Sequence, residues 1–478
     1  MYDIAIVGLG ATGVSLLKSI QSFLHEQSLS HLKIAVLSDK QSFARGKAFG
    51  EAEEVHRVNT PPNLMSIQVE DPQGFALWLS KSGITDKYPP RLIYAQYLEA
   101  MFEEIKNDAH IDLTLEQHEV VQIESIDTEL AKISLANHSQ LYARRVILCL
   151  GSIYETPYPH IADRLIMPNQ IKDHDFDPDD EIVVAGTGLT AIDCIRSLRK
   201  KGVKKVYVFS RNNKLPTPIT SMNRYVPQYF VWNNIKRELI QTKKGRRLKK
   251  LFIMLHKEFA LLDKNEFVIA DHLIRQEKYL DYFKFIVEQA QIGELAIQDI
   301  FVSTRNFAHK IWKMLSEEEQ VEFQQQYNAL WAVWRHPVPM FVIEELTQHI
   351  RQKLIEIVKV HRIEQQGQHL ILHCPHEQQI KVNYLVDGTG GTSQISNTTN
   401  PLLRQMLEQQ LIQAHPCGGV RVNTLNFKVQ NNATFRHIYC LGQLAKGELF
   451  STNAFWYNSK CAGELAFLLM HEFLTAAE

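Results

Sequence analysis

The first chemistry-bearing pattern in the chain is Gly8-Leu9-Gly10-Ala11-Thr12-Gly13. Gly8 permits a tight turn, Gly10 lets a pyrophosphate come close to the main chain, and Gly13 lets the next helix pack on the preceding strand. The N-terminus of that helix then offers unpaired N–H groups and partial positive charge to phosphates. Asp39 follows 26 residues after Gly13, where a carboxylate can accept hydrogen bonds from ribose hydroxyls. The same device recurs at Gly186-Thr187-Gly188-Leu189-Thr190-Ala191, with Ala191 in the third small position. This second unit ends in Ser210-Arg211 rather than in an acid. A carboxylate there would repel a 2′-phosphate, whereas a guanidinium clamps one bidentately. The first unit therefore reads as an FAD site and the second as an NADPH site. The plainer alternatives are a fold of the same kind without nucleotide and, for Arg211, a solvated loop cation.

The elements that must position these residues are legible around them. Asp3-Ile4-Ala5-Ile6-Val7 is a short buried-strand pattern ahead of Gly8. Apolar residues at Val14, Leu17, Ile20 and Leu24 follow at helical spacing, and Lys33-Ile34-Ala35-Val36-Leu37 gives the next strand. Strand, glycine turn, helix, strand and acid make one βαβ unit. Around the second turn, Ile182-Val183-Val184-Ala185, a helix through Ile192, Ile195 and Leu198, and Val206-Tyr207-Val208-Phe209 repeat the order. Between them, from Asp112 to Leu150, short alternating runs such as Val120-Val121-Gln122-Ile123 and Ala131-Lys132-Ile133-Ser134-Leu135 predict an antiparallel meander, and Val146 to Leu150 an apolar strand ending at Gly151. The stretch from about 222 to 345 predicts a large helical insertion. Its basic run from Lys243 to Lys250 reads as a solvated helix face or an anion site. The apolar segment Leu465 to Met470 reads as the last core helix.

Composition narrows the classes. With 52 Lys and Arg against 53 Asp and Glu, the 478-residue chain has a net charge of −1, which argues against a nucleic-acid binder. Six dispersed cysteines include no C-x-x-C pair, and the twenty histidines no H-E-x-x-H pairing, so no metal centre is expected. No G-x-S-x-G elbow occurs. With no apolar run near the roughly 18 residues of a membrane span, a cytoplasmic location is expected.

With these motifs in order, the sequence resembles the two-dinucleotide-binding-domain flavoproteins. Within them it is similar to a bacterial FAD/NAD(P)-binding oxidoreductase family related to the flavin-containing and N-hydroxylating monooxygenases. The resemblance runs in blocks: the opening glycine turn, Gly46-Lys47-Ala48-Phe49, Val58-Asn59-Thr60-Pro61-Pro62-Asn63-Leu64-Met65-Ser66, Arg91 with Tyr94 and Tyr97, and the second turn to Arg211. The late blocks are Arg335-His336-Pro337, Asp387-Gly388-Thr389-Gly390, and Leu441-Gly442-Gln443 with Gly447. It implies that the Asn59-to-Ser66 loop lies near the isoalloxazine, that the Gly442 strand completes the FAD site, and that Leu150-Gly151 and Thr389-Gly390 mark crossings between domains. The candidate cofactor contacts are Gly8, Gly10, Ala11, Thr12, Gly13, Asp39, Lys47, Met65, Ser66, Val121, Gly151, Gly186, Gly188, Leu189, Thr190, Ala191, Arg211, Gly390, Gly442, Gln443 and Asn453. Asn59 and Asn63, amid prolines, either present amides to the flavin edge as catalytic candidates or make ordinary turns. Ser451-Thr452-Asn453 reads as the cap region of the last helix, aimed at the flavin pyrimidine or at nothing.

The fold expected is α/β with two Rossmann-like domains. Residues 1–160 and 381–478 form a discontinuous FAD domain, and 165–380 an NADP domain carrying the insertion. The function expected is an FAD- and NADPH-dependent oxidoreductase. Its leading form is a monooxygenase that hydroxylates nitrogen or sulfur of a small substrate with O₂ through a flavin C4a-hydroperoxide. The alternatives are an NAD(P)H:acceptor reductase or dehydrogenase and a sensor without turnover.

Overall fold

Ile4, Ala5, Ile6 and Val7 are buried on both faces, which places β1 (Ile4–Val7) in the middle of a covered parallel sheet. The computed structural model describes residues 1–27, 32–220, 225–262 and 264–477. It divides into two units, Met1–Glu155 with Gly391–Glu478, and Thr156–Gly390. In the first unit, β1 lies between β2 (Leu32–Leu37) and β7 (Val146–Leu148), with β3 (Ile111–Glu116) at one edge and β16 (Ile438–Cys440) at the other. All four pairings are parallel. The helix Ala11–Gln27 buries Val14, Leu17, Ile20 and Leu24, the stripe its spacing predicts, and packs on the last helix, Phe455–Ala477. In that last helix Leu465, Ala466, Leu469 and Met470 are core residues.

The meander is shorter than the sequence suggests. It comprises β4 (Val120–Ser125), β5 (Ala131–Leu135) and β6 (Gln140–Ala143), in register through Ile123, Ile133 and Leu141. The segment from Asp112 instead enters β3, a parallel edge strand whose outer face is only half covered. That exposure produces the alternation that reads as a meander.

The second unit repeats the plan. Its parallel sheet runs β11 (Ile355–Ile357), β10 (Lys205–Phe209), β9 (Glu181–Ala185), β15 (Tyr384–Asp387) and β8 (Leu165–Ile166). A separate meander joins β12 (Arg362–Gln366), β13 (His369–His373) and β14 (Gln379–Val382), with Leu370 opposite Val382 and Leu372 opposite Ile380. The observed breaks at Glu155/Thr156 and Gly390/Gly391 differ from the expected 160/165 and 380/381. The difference matters most for β15, expected in the carboxyl-terminal FAD part. It pairs in parallel with β9 and β8 and so belongs to the second unit. A short buried run such as Tyr384-Leu385-Val386 carries no mark of the sheet it joins.

The insertion lies between β10 and β11 and consists of helices from Trp232–Gln241 to Met340–Arg351, six residues beyond the expected end. Its expected first residues, 222–224, lie outside the described residues. Tyr282, Phe283, Ile286, Trp334 and Ile343 from these helices share one core with Ile182, Val184 and Val206 of the sheet. The insertion is therefore built into its unit. Glu258, fully buried, anchors the entry loop: its carboxylate accepts from the N–H groups of Gln228, Tyr229 and Phe230 and from the Tyr225 hydroxyl. Burial alone would raise its pKa, but these hydrogen bonds outweigh that and hold the carboxyl below its ordinary range. In the basic run, Leu248 is buried and Lys250 pairs with Glu238 at 2.6 Å, as on a solvated helix face.

Candidate cofactor sites

In the first unit the strand ends draw together at Gly8. Its N–H donates to the Leu37 carbonyl at 2.7 Å, its φ is +97°, and a Cβ there would lie 2.5 Å from the Cys149 carbonyl oxygen. A Cβ at Gly13 would lie 2.5 Å from the Gly8 carbonyl oxygen, the helix-on-strand approach that the spacing predicts. At Gly10 the nearest neighbour is protein: a Cβ would lie 3.2 Å from Gly46 Cα, and Gly46 itself has φ +67°. The Gly46-to-Phe49 block therefore lies over the turn, with Lys47 exposed at the start of a four-residue helical turn. Gly442, after β16, reaches the same place, since a Cβ there would lie 3.1 Å from Thr12 Oγ1.

The loop expected near the flavin is tied to this turn. Ser15, two residues past Gly13, donates to the Ile67 carbonyl at 2.5 Å, and Tyr94 donates to the Met65 carbonyl at 2.9 Å. Met65 and Ser66 are buried. Burial raises the Tyr94 phenol well above its ordinary pKa and pushes Tyr97 up to about 12, so both rings are neutral phenols and Tyr94 keeps the proton it donates. Tyr94 also meets Phe49 at 4.6 Å and Phe455 at 4.9 Å between ring centroids, joining three separated blocks. Asn59 is half-buried and Asn63 exposed in a 3-10 turn. Among the described residues neither amide has a hydrogen-bond partner, so both are available to a ligand. Gly151 and Gln443 line a small cavity of about 30 Å³ with Lys446, whose ammonium is lowered by burial. Gln443 donates to the Thr452 carbonyl at 3.0 Å and to the Asn453 side chain, bringing Asn453 into this group.

Two candidates behave differently. Asp39 is engaged locally: its Oδ1 accepts from the N–H groups of Gln41 and Ser42 at 3.1 and 3.0 Å, and the Ser42 hydroxyl bonds Oδ2. Only the remaining lone pairs are open to a ribose. Val121 is exposed at a register shift in β4 and is not among the residues these contacts join.

In the second unit Gly186 has φ +120°, and a Cβ there would overlap the Gly388 carbonyl. Gly188 begins the helix Leu189–Lys200, and a Cβ on it would meet nothing within 4 Å, so the helix N-terminus is open. Ala191 is fully buried, with Gly388 opposite it, and a Cβ at Gly390 would lie 3.2 Å from Thr190 Oγ1. Thr187 fixes the loop after β10: its hydroxyl meets Ser210 Oγ at 3.0 Å and donates to the Lys214 carbonyl at 2.6 Å. Asn213 Oδ1 accepts from the Ser210 N–H at 2.8 Å.

Arg211 is exposed at a cavity of about 640 Å³ beyond the carboxyl ends of β10 and β11, the edge where open α/β sheets bind ligands. Tyr279, Tyr282 and Trp334 of the insertion wall it, and Lys214, Arg275, Lys359 and His361 join Arg211 on its basic side. Arg275 is neutralised by Asp271 at 2.5 Å and Lys359 by Glu277 at 2.7 Å, whereas Arg211 has no ion-pair partner among the described residues. Lys359 and His361 were missed in the sequence because they follow β11, about 150 residues after Arg211. Arg335, from the Arg335-His336-Pro337 block, ends the helix Asn328–Arg335. Burial and then the like charge of Arg305 pull its guanidinium down to about 9.

Residues 5–153 match a family model described as FAD-NAD(P)-binding. No curated protein matches the chain. Among solved structures, an ornithine N-hydroxylase from Kutzneria, studied with reduced FAD, NADP⁺ and L-ornithine, superposes with a TM-score of 0.64 at 14% identity, covering 99% of both chains. The ornithine hydroxylase of Pseudomonas aeruginosa gives 0.62 at 12% identity over 99% of both chains. The bacillithiol disulfide reductase of Bacillus cereus gives 0.53 at 11% identity, over 98% of this chain and 99% of that one. At these identities the shared property is the fold. The shared fold bears out two dinucleotide-binding units, and the family match over residues 5–153 bears out FAD/NAD(P) binding. No helix among the described residues is long and apolar enough to cross a membrane.

Proposed function

We propose that this FAD- and NAD(P)-binding oxidoreductase is an NADPH-dependent monooxygenase that hydroxylates nitrogen or sulfur of a small substrate. The balance is NADPH, H⁺, O₂ and substrate giving NADP⁺, water and hydroxylated product. The observation that carries the reading is the pairing of two built glycine cradles, the first roofed by Gly46 and the second open and flanked by Arg211, which has no ion pair among the described residues. A bound flavin would supply the redox and oxygen-activating chemistry, and the chain's own task is binding, orientation and exclusion of water.

In the first unit Gly8, Gly10, Gly13 and the helix N-terminus would hold the pyrophosphate of FAD. The unpartnered amides of Asn59 and Asn63 would meet the ring edge, held there by the Ser15 and Tyr94 bonds to their loop. In the second, Gly186, Gly188 and the open helix N-terminus would take the NADPH pyrophosphate, with the adenosine end in the 640 Å³ cavity and its 2′-phosphate on Arg211, Lys214 and His361. Primary amines are the first substrates to try, because neighbours of the same fold act on ornithine, lysine and cadaverine.

The deciding experiment is anaerobic titration of the yellow protein with NADPH and NADH in parallel, then mixing with O₂ and a panel of amines and thioethers. Preferential bleaching by NADPH and an oxygen atom from ¹⁸O₂ in the product support the proposal. A second reading, a pyridine-nucleotide:acceptor reductase, is favoured by the fold shared with a disulfide reductase. Rapid turnover with artificial acceptors, O₂ yielding only hydrogen peroxide and no ¹⁸O in any product would select it.

A further inference from the structure

The helix Ala11–Gln27 begins at the glycine turn and carries His25 in its last turn, about 20 Å away at 1.5 Å per residue. There it meets the residues leading into β3. Asp108 lies under the helix end with its side chain 5% exposed, and its two carboxylate oxygens face two imidazoles. His25 Nε2 is 2.5 Å from Oδ2 and His110 Nδ1 is 3.0 Å from Oδ1. Gln21, one turn back on the helix, donates its Nε2 to Oδ2 at 2.6 Å. The imidazole centroids are 4.6 Å apart, and one ligand atom from each of the three residues lies within 4.8 Å of the others.

Two imidazoles and a carboxylate are the borderline donor set of zinc and its neighbours, with a fourth position left to water. An ion bonded at about 2.0–2.2 Å in tetrahedral geometry separates its ligand atoms by roughly 3.3–3.5 Å. Both rings are on the surface, 52% and 40% exposed in their side chains, with room for the two short contacts to Asp108 to open and the ring nitrogens to adjust to that spacing. The carbonyl end of the helix favours a cation. Gln21 already orients the carboxylate from behind, as an outer-shell partner does.

We propose that His25, Asp108 and His110 bind one divalent ion of the zinc class and tie the end of the glycine-turn helix to the start of β3. The site lies apart from the FAD cradle and does not depend on the proposed reaction. Sequence spacing conceals it because the ligands come from segments 83 residues apart.

Chelator-treated protein is titrated with Zn²⁺ against a chromophoric competitor and, separately, with Co²⁺ in the visible spectrum. The expected result is one equivalent bound, a cobalt spectrum of four-coordinate intensity, and a melting temperature raised by zinc. His25→Asn, at an exposed position, and His110→Asn, at a half-buried one, should each weaken binding at least as much as loss of an outer-shell partner does, about 10–100-fold, and remove the zinc-dependent rise in melting temperature. Asp108→Asn should do the same, with the histidine variants deciding the matter if it fails to fold. His160→Asn, exposed in the second unit, should change nothing. Stoichiometry and affinity unchanged in both histidine variants, or uptake only at millimolar zinc, would mean adventitious binding and overturn the proposal.

Discussion

In the first glycine turn the third small position is Gly13, and a methyl there would press on the Gly8 carbonyl oxygen at 2.5 Å; in the second it is Ala191, whose methyl is fully buried. The close approach has moved elsewhere in the second turn. Gly388, at the end of β15, now lacks the side chain, and a Cβ on it would lie 2.9 Å from Ala191 Cα. Similar strand–turn–helix junctions thus place their missing atom on different elements. The middle glycines differ as well. Gly10 is roofed by Gly46, while Gly188 faces open space. A roofed turn suits a group that stays bound through turnover, and an open one suits a group that must enter and leave. The ribose ends follow the same division: Asp39 is occupied by its own turn, whereas Arg211 has no counter-ion among the described residues beside its cavity.

The sharpest way to break this comparison is to give each turn the side chain that its first glycine excludes. Gly8→Ala combines a left-handed φ with a 2.5 Å backbone contact, which should cost about 2–6 kcal/mol. Colourless or unfolded protein is expected. Gly186→Ala carries the same two penalties in the second unit, and its protein should stay yellow while losing reduction by NADPH. Absorption spectra before and after anaerobic NADPH check both. Equal flavin loss in the two variants would erase the assignment of one cofactor to each turn.

Next in size is Glu258→Ala, which tests whether the insertion folds with the second turn. Removing the carboxylate strands four donors, a loss of about 2–4 kcal/mol. If the shared core makes the insertion integral, chemical denaturation should show the whole second unit destabilised, with flavin retained. Because hydrogen bonds depress the Glu258 pKa in the folded state, its contribution is full above the ordinary carboxylate range and fades as pH falls through the lowered value. Wild type should therefore lose more stability than the variant on acidification below about pH 4.

Arg211→Ala comes third. Loss of a charge-assisted phosphate contact worth about 1.5–3 kcal/mol should raise the Michaelis constant for NADPH by roughly 10–100-fold and leave NADH nearly unchanged. Steady-state kinetics with both nucleotides read this directly. Equal effects on the two would take the 2′-phosphate away from Arg211.

How much of this was legible beforehand follows from how far each signal reaches along the chain. The glycine turns, the stripe Val14, Leu17, Ile20 and Leu24, and the central strands announce themselves because their physics is complete within a few residues. Gly388 opposite Ala191 and Gly46 over Gly10 are legible only as resemblances, since each belongs to a contact whose other half is far away in sequence. The edge strand β3 imitates a meander because its outer face is only half covered, and β15 could not declare its sheet because parallel strands share one apolar texture. Lys359 and His361 reach the Arg211 cavity only through strand order.

The smallest effect isolates the asymmetry itself. Ala191→Gly removes a buried methyl from the first turn of a helix whose neighbour, Gly388, already leaves room for it. It should cost only about 1 kcal/mol and leave NADPH binding intact. Gly13→Ala, the reciprocal change, adds that methyl where the Gly8 carbonyl stands, and overpacking of about 1–3 kcal/mol should lower FAD retention by roughly 10–100-fold. Flavin occupancy and thermal unfolding of the two variants, measured side by side, separate the accounts. If Gly13→Ala is as mild as Ala191→Gly, the first turn yields as easily as the second, and the close packing at Gly13 is not what sets it apart.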